Sequence, residues 1–328
     1  MLIPAFTQGN QMDRNRKLML SILTMLVLTS VIAIVDISIN MQYKRPSGIS
    51  VSGPRIGPGV GIVRVEGAIE MLSSGGAFGM RQGAEAIIDR LNEMEESSSI
   101  KAVVVRINSP GGTVAATQEI YQKLWRLRKK NIPLVASLGD VAASGGYYVA
   151  SACNYIMANF GTITGSIGVI ALSPNLKKLF EKLGIGMNVI KSGRYKDILS
   201  SFRDMSPEER ELIQQMIDSS YRKFLKDVAL GRNQNESDIA PIADGRVMSG
   251  DVALKYKIID GLGTFEDAVD KARQMGNLPA DSPVYDEAKS SLQQLLFSMQ
   301  GLFGARNLYR YPAVDYENNY RVEYRWEP

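Results

Sequence analysis

Short apolar runs alternate with amphipathic stretches over most of the chain after residue 60. The runs are almost continuously apolar, which is typical of strands covered on both faces of a sheet. The stretches between them place apolar residues at helical spacing. The predicted strands are 61–67, 101–107, 133–138, 155–157 and 187–190, and the predicted helices are 80–94, 113–130, 147–153, 206–230, 251–256 and 265–275. This alternation indicates a layered α/β domain.

A longer apolar pattern lies near the start of the chain. Residues 18–35 are uncharged and mostly apolar, and as a helix they would span about 27 Å, close to the thickness of a bilayer's hydrocarbon core. Arg14, Arg16 and Lys17 precede them, which favours an N-terminus kept in the cytoplasm. A cleaved signal peptide is the alternative, but the run is long for one and no clear A-x-A site follows it. We therefore predict an uncleaved single-pass anchor in the cell membrane, with the body of the protein outside the cytoplasm.

These patterns divide the chain into five segments. Proline, glycine and serine after the anchor predict a linker without a packed core. Residues 309–328 carry five tyrosines and one tryptophan among charges, which is unusual for disorder alone, and we predict that this tail docks as an extended segment on its own or a neighbouring subunit. The predicted segments are a cytoplasmic 1–17, an anchor over 18–38, a linker over 39–60, the α/β domain over 61–275 and a C-terminal extension over 276–328.

The composition narrows the possible chemistry. The chain of 328 residues contains no histidine, so it cannot form a Ser-His-Asp triad, a Cys-His dyad or a histidine metal site. Its one cysteine, Cys153, excludes an intrachain disulfide and a cysteine-cluster metal site. A net charge of 38 − 34 = +4 is too small to indicate nucleic acid as a partner. An enzyme of this composition uses Lys, Tyr, Asp or Glu as its base, and no metal, nucleotide or other cofactor motif is visible.

Two loops that follow predicted strands carry candidate oxyanion donors and a candidate nucleophile. In the loop 106–112, Gly111 and Gly112 let backbone N–H groups face a ligand, although Pro-Gly-Gly is also ordinary turn chemistry. In the loop 141–148, Ser144 precedes a predicted helix, where its hydroxyl could act as a nucleophile beside the Gly145 N–H. The alternative is that Ser144 only caps the helix.

Four ordered motifs together resemble the signal peptide peptidase A family. They are Asn108-Ser-Pro-Gly-Gly112, Ala143-Ser-Gly-Gly-Tyr-Tyr148, Thr164-Gly-Ser-Ile-Gly168 and Ser192-Gly-Arg-Tyr-Lys-Asp197. The resemblance extends over about residues 61–275, including Gly245–Gly250 and Ile259–Gly263. These proteins are membrane-associated serine proteases related in fold to the Clp protease subunit and to crotonases. The resemblance therefore implies a Clp protease/crotonase-like layered α/β fold with an N-terminal transmembrane helix.

The resemblance also implies roles for individual residues. Ser144 matches the nucleophile and Lys196 the general base, while Gly111 or Gly112 matches the oxyanion region together with Gly145. Ser166 is the candidate hydroxyl partner of the lysine amine. The position of Lys196 in the sequence does not by itself distinguish it from an ordinary surface lysine. To act as the base, its amine must be neutral, because only a neutral amine can accept a proton. Arg194 stands where the family motif often has lysine, which keeps the charge.

The implied function is a membrane-anchored serine endopeptidase with a Ser-Lys dyad and no cofactor. Its implied substrates are peptides such as cleaved signal peptides in or near the membrane. A head-to-tail homo-oligomeric ring is expected, in which Ser144 of one protomer faces Lys196 of the next. A protease that trims one specific membrane partner, as stomatin-associated proteases do, is an alternative. The other is a non-peptidase, either a crotonase-like acyl-CoA enzyme or an inactive scaffold.

Overall fold

The middle of the chain consists of strands and helices, and most of its strands pair in parallel. The computed structural model describes residues 57–71, 83–286 and 322–325, together with the helical positions 19, 24 and 25. The strands in this part of the chain are β1 (Gly59–Glu66), β2 (Ile100–Ser109), β3 (Gly111–Thr113), β4 (Leu134–Ala143), β5 (Tyr155–Ala158), β6 (Ile163–Gly165), β7 (Ile170–Ala171), β8 (Val247–Ser249), β9 (Gly261–Leu262), β10 (Val284–Tyr285) and β11 (Val322–Arg325). The helices are α1 (Ala84–Glu96), α2 (Val114–Lys129), α3 (Gly145–Ser151), α4 (Lys177–Leu183), α5 (Pro207–Arg232), α6 (Glu236–Ile239), α7 (Gly250–Lys255) and α8 (Phe265–Met275), with a 3₁₀ turn at Ala240–Ile242.

Eight of these strands form one sheet, whose main order is β10-β1-β2-β4-β5-β9. All of the pairs along this path are parallel. Past the end of β5, β4 continues and pairs with β6, which in turn pairs antiparallel with β8. Parallel strands bring their carboxyl ends to the same edge, so the residues after β2 and β4 lie side by side. Ser109 is accordingly the register partner of Ala142.

Helices cover both faces of this sheet. Val103, Val105 and Ile107 of β2 point into a large apolar core shared with α1, α2, α3 and α5, while Ala102 and Val104 point into a smaller core against α8. Successive side chains of a strand point to opposite faces of the sheet, and here both faces are buried away from solvent. This double burial explains why the strands appear in the sequence as continuous apolar runs.

Most of the predicted elements are confirmed, with ends shifted by a few residues. The predicted start of α5 is also confirmed, because the Ser206 side chain accepts from the Glu209 N–H while the Glu209 carboxylate accepts from the Ser206 N–H. The strand predicted at 187–190 is wrong. These residues have no regular structure and are exposed, because no strand in the described part of the chain pairs with their backbone.

The chain divides into two compact units, Met1–Gly48 and Ile49–Pro328. Of the first unit only Met19, Thr24 and Met25 are described, so the predicted anchor at 18–38 falls almost wholly outside the described residues. Within the part of the chain that the structure describes, no helix is both long and apolar enough to span a membrane.

The contact between α3 and α5 is tight enough to require a glycine. A Cβ added to Gly231 of α5 would lie 2.0 Å from the carbonyl oxygen of Ser151, at the end of α3. Further along the same contact, the Tyr148 and Phe224 rings pack with their centroids 4.8 Å apart. The close approach fixes the separation of the two helices.

Gly231→Ala is expected to lower the free energy of unfolding by about 1–3 kcal/mol, because the new methyl group forces the two helices apart. Urea unfolding of the full chain measures the change. Gly161→Ala is the matched control, since a Cβ there meets nothing within 4 Å. Equal stabilities for the two variants would contradict the tight α3–α5 contact.

Candidate active site

The backbone of Ser144 has an unusual conformation. Ser144 joins the end of β4 to the start of α3 with φ 52° and ψ −116°, a region that residues with a Cβ rarely occupy. Its side chain makes no capping hydrogen bond to α3, although the residue is 99% buried and stands at the N-cap position. The capping alternative from the sequence is therefore excluded. A serine on a strained strand-to-helix turn is the arrangement of a nucleophile elbow.

The first N–H groups of α3 lie beside the turn that follows β2. The N–H groups at the start of a helix have no partner within it, and Gly145 provides the first of them here. A Cβ added to Gly146 would lie 2.6 Å from the Ser109 carbonyl oxygen, so only glycine allows this approach. The structure thus brings together the two glycine-rich loops that the sequence analysis singled out.

Ser109 holds the turn that contains Gly111 and Gly112. Its hydroxyl donates to the Gly67 carbonyl at 2.6 Å and accepts from the Gly111 N–H at 3.1 Å. Ile69 donates to the Gly111 carbonyl and accepts from the Thr113 N–H, both at 2.8 Å. Backbone groups alternate sides along a strand, so the N–H and carbonyl of Gly112 point away from Ile69.

The C-terminal strand β11 occupies the side toward which Gly112 points. It pairs antiparallel with β3, where Tyr324 is the partner of Gly112 and Arg325 that of Gly111. Its other edge pairs antiparallel with β7, where Val322 is the partner of Ala171. The predicted docking of the tail as an extended segment is confirmed for 322–325, on the same chain, and the rest of the tail falls outside the described residues. An extended strand therefore fits between β3 and β7, next to α3.

Ser166, the predicted partner of the lysine, directly follows β6. Like Ser144 it has a positive φ of 52°, and its N–H donates to the Arg246 carbonyl at 2.7 Å. It is buried and lines a cavity of about 540 Å³, together with the apolar side chains of Val169 and Ile217 and the more polar Tyr221. This cavity could receive a side chain from a strand that lies beside β7.

Lys196 is not hydrogen-bonded to any of these residues. It sits in an irregular loop, is exposed, and its side chain makes no hydrogen bond or ion pair to any residue that the structure describes. The Ser144 hydroxyl likewise has no hydrogen-bond partner among those residues. Within one chain, therefore, the elbow, both glycine loops and Ser166 are gathered at one edge of the sheet, and neither serine is hydrogen-bonded to Lys196.

Comparison with known proteins identifies the family. Residues 126–278 match the profile of peptidase family S49, and residues 77–158 match that of the Clp protease. A protein of Synechocystis named "Putative protease slr0021" is 48% identical over 202 residues, which is 62% of this chain and 72% of that protein. The chain belongs to peptidase family S49. The resemblance to the signal peptide peptidase A proteins is thereby confirmed, as is a peptidase on a parallel-rich α/β fold.

Two further relatives of this S49 peptidase are less similar. "Putative signal peptide peptidase SppA" of Enterococcus faecium is 35% identical over 64% of this chain and 61% of its own length. "Protease 4" of Haemophilus influenzae is 33% identical over 69% of this chain and 36% of its own length. The chain thus spans less than two thirds of either protein.

Cys153 is not a rival nucleophile in this S49 peptidase. It is fully buried just beyond α3, and burial raises the pKa of its thiol to about 12. The thiolate is the reactive form of cysteine, so at neutral pH this thiol is inert.

Sequence reasoning missed the buried carboxylate that holds α3 in place. Asp227 of α5 is 4% exposed, accepts a hydrogen bond from the Tyr148 hydroxyl and pairs with Lys223. Its carbonyl oxygen accepts from the Tyr121 hydroxyl at 3.1 Å. Tyr148 lies one turn after Ser144, so this cluster fixes the helix that starts at the elbow. Acidic residues occur at several positions of α5, so the residue type alone does not mark Asp227 as buried.

Proposed function

We propose that this S49 peptidase is a serine endopeptidase in which Ser144 is the nucleophile and Lys196 the general base. The observation that carries the proposal is the strained Ser144 backbone with a side chain that does no capping. Strain of about 1–3 kcal/mol at a single residue is retained where it serves chemistry. A crotonase-like or scaffolding role would leave this conformation without a purpose.

The reaction proceeds through an acyl-enzyme. The Ser144 Oγ attacks the scissile carbonyl carbon, and the Lys196 amine accepts the hydroxyl proton and passes it to the leaving amine. The oxyanion accepts hydrogen bonds from the Gly145 N–H and from the Gly111–Gly112 turn, which the contact of Gly146 with Ser109 keeps close to the nucleophile. Lys196 then removes a proton from the water that hydrolyses the ester. No cofactor is required.

Lys196 completes the site from a neighbouring protomer in this proposal. A lysine acts as a base only when it is neutral, and burial among apolar groups favours the neutral amine. In the single chain Lys196 is exposed, and the segment before it displays Met187, Val189 and Ile190 to solvent. A head-to-tail contact would cover these apolar side chains and bring Lys196 to the Ser144 and Ser166 of the next copy, closing a ring.

The substrate is bound as an extended strand between β3 and β7. Support comes from β11, which shows that a peptide backbone can pair with both at once. Signal peptides and other peptides left at a membrane are the proposed substrates, and the predicted anchor at 18–38 would hold the peptidase beside them. A relative that trims one specific membrane protein would use the same strand position.

Ser144→Ala and Lys196→Ala are each expected to lower peptide hydrolysis at least about 1,000-fold while the protein stays folded. Turnover of a fluorogenic peptide measures the loss, and circular dichroism checks the fold. Near-wild-type turnover by folded Lys196→Ala would show that another group is the base.

The shared site predicts complementation between the two inactive variants. Mixed at equal amounts under conditions of subunit exchange, Ser144→Ala and Lys196→Ala protomers should recover about a quarter of wild-type activity, because one contact in four pairs an intact serine with an intact lysine. Native mass spectrometry verifies that the rings are mixed. Verified mixed rings that stay inactive would place both residues of the dyad in one chain.

Removal of residues 321–328 is expected to lower KM for peptide substrates with little change in kcat, because β11 competes for the strand position. Tyr324→Pro in the full chain is the length-matched test, since proline has no N–H to give to Gly112 and clashes within a paired strand. Steady-state kinetics separates the two parameters. An unchanged KM in both variants would mean that substrate binds elsewhere.

A further inference from the structure

The loop that carries Lys196 lacks regular secondary structure, and Arg203 ties its Lys196 end to the body of the protein. Residues 191–200 contain only turns and bends. Arg203 reaches back to Asp197, directly after Lys196, and donates from Nε and Nη2 to its two carboxylate oxygens at 2.8 and 2.9 Å. Nη2 also donates to the Asp197 main-chain carbonyl at 3.1 Å. The guanidinium therefore holds both the side chain and the backbone of the residue next to the proposed base.

The same guanidinium is anchored on its other side to the start of α5. Nη1 donates to the Glu209 carboxylate at 2.8 Å and Nη2 at 2.5 Å. Glu209 is 3% exposed and closes the capping box on Ser206, so its position is set by the helix. A planar guanidinium with five N–H donors can make both two-pronged contacts at once, which a lysine ammonium cannot.

The charges of this cluster balance. Lys191 also pairs with Asp197, so two cations face two carboxylates. The hydrogen bonds from Arg203 lower the pKa of Glu209 to about 2 and hold the pKa of Asp197 below its usual range, while the two carboxylates raise the pKa of Arg203. A lowered carboxylate pKa means that the stabilisation is complete above the ordinary pKa and is lost only as the pH falls toward 2. Both carboxylates therefore stay ionised at neutral pH.

Other contacts hold the flanks of the loop rather than its Lys196 end. Ser173 donates to the Leu199 carbonyl and Leu176 to that of Ser201, both beyond Asp197. A further link from this end to α5 is an exposed Arg194–Glu208 pair at 3.6 Å, and exposed pairs of that kind contribute little. The position of Lys196 relative to the body thus depends mainly on Arg203.

We propose that Arg203 is a positioning residue, which clamps Asp197 to Glu209 and so places the Lys196 amine for proton transfer. The inference rests on the proposed role of Lys196 as the base. It applies whether that base serves its own chain or the next protomer, because in both cases the loop must move as one body with α5. An error of about 1 Å in the position of a catalytic group can lower a rate about 100-fold.

Arg203→Ala is expected to lower kcat about 10- to 100-fold with KM almost unchanged. Arg203→Lys keeps a cation beside Glu209 but cannot reach Asp197 with a second pair of donors, so it should fall between wild type and Arg203→Ala. It also serves as the test variant if Arg203→Ala does not fold. The matched control is Arg273→Ala, which removes an arginine that pairs with Asp270 on α8, on the other face of the sheet, and should leave kcat unchanged.

A double-mutant cycle with Lys196→Ala separates positioning from a general effect on the fold. An activated ester is the substrate, because its leaving group needs no proton and the residual rate without the lysine stays measurable. If Arg203 acts through Lys196, Arg203→Ala has no further effect in the Lys196→Ala background. If it lowers both backgrounds equally, or raises KM as much as it lowers kcat, the positioning role is overturned. Full activity of Lys196→Ala alone would instead show that Lys196 is not the base, and Arg203 would then have no base to position.

Discussion

The positive φ of Ser144 is the constraint on which much of this structure depends. A residue with a Cβ keeps such a conformation only when its surroundings over-determine it. Here the preceding strand is fixed by β6, where the Ser144 N–H donates to the Gly165 carbonyl at 2.8 Å. The following helix is fixed by two hydrogen bonds: the Tyr147 hydroxyl donates to the Ile258 carbonyl, and the Tyr148 hydroxyl donates to the Asp227 carboxylate. The strand before Ser144 and the helix after it are thus anchored independently, which keeps the strained residue between them in place.

The extension of β4 past β5 explains why the site lies at this edge of the sheet. The first half of β4 pairs with β5 in the main sheet, and its last three residues pair with β6 instead. The end of β4 thus lies between β6 and the end of β2, where Ala142 is the register partner of Ser109. The elbow follows β4, the Ser109 turn follows β2 and Ser166 follows β6. These features lie together because the ends of β2 and β6 both pair with the end of β4.

The sequence predicted those features that depend on local pattern. Val103, Val104 and Val105 are buried on alternate faces, so the burial of both faces was visible as a continuous apolar run. The start of α5 was predicted correctly from the capping residues Ser206-Pro-Glu-Glu209. Contacts between distant segments were not visible. The pairing of β10 with β1 joins residues more than 200 positions apart, and the Arg203 clamp uses residue types that are common on any surface. The strand predicted at 187–190 failed for the same reason, because a β-propensity is realised only where an edge is available.

The pairing of β11 on both of its edges has a consequence for selectivity. Without it, β3 and β7 would present two rows of unpaired backbone groups, which attract any extended chain. With it in place, a peptide that binds in the proposed way must exchange one set of backbone hydrogen bonds for an equivalent set, so these bonds add almost nothing to the net free energy of exchange. The difference is left to side chains, such as those that could enter the cavity beside Ser166. In the proposed binding mode, the tail is the sequence with which every peptide competes, and a peptide replaces it only if its side chains fit better.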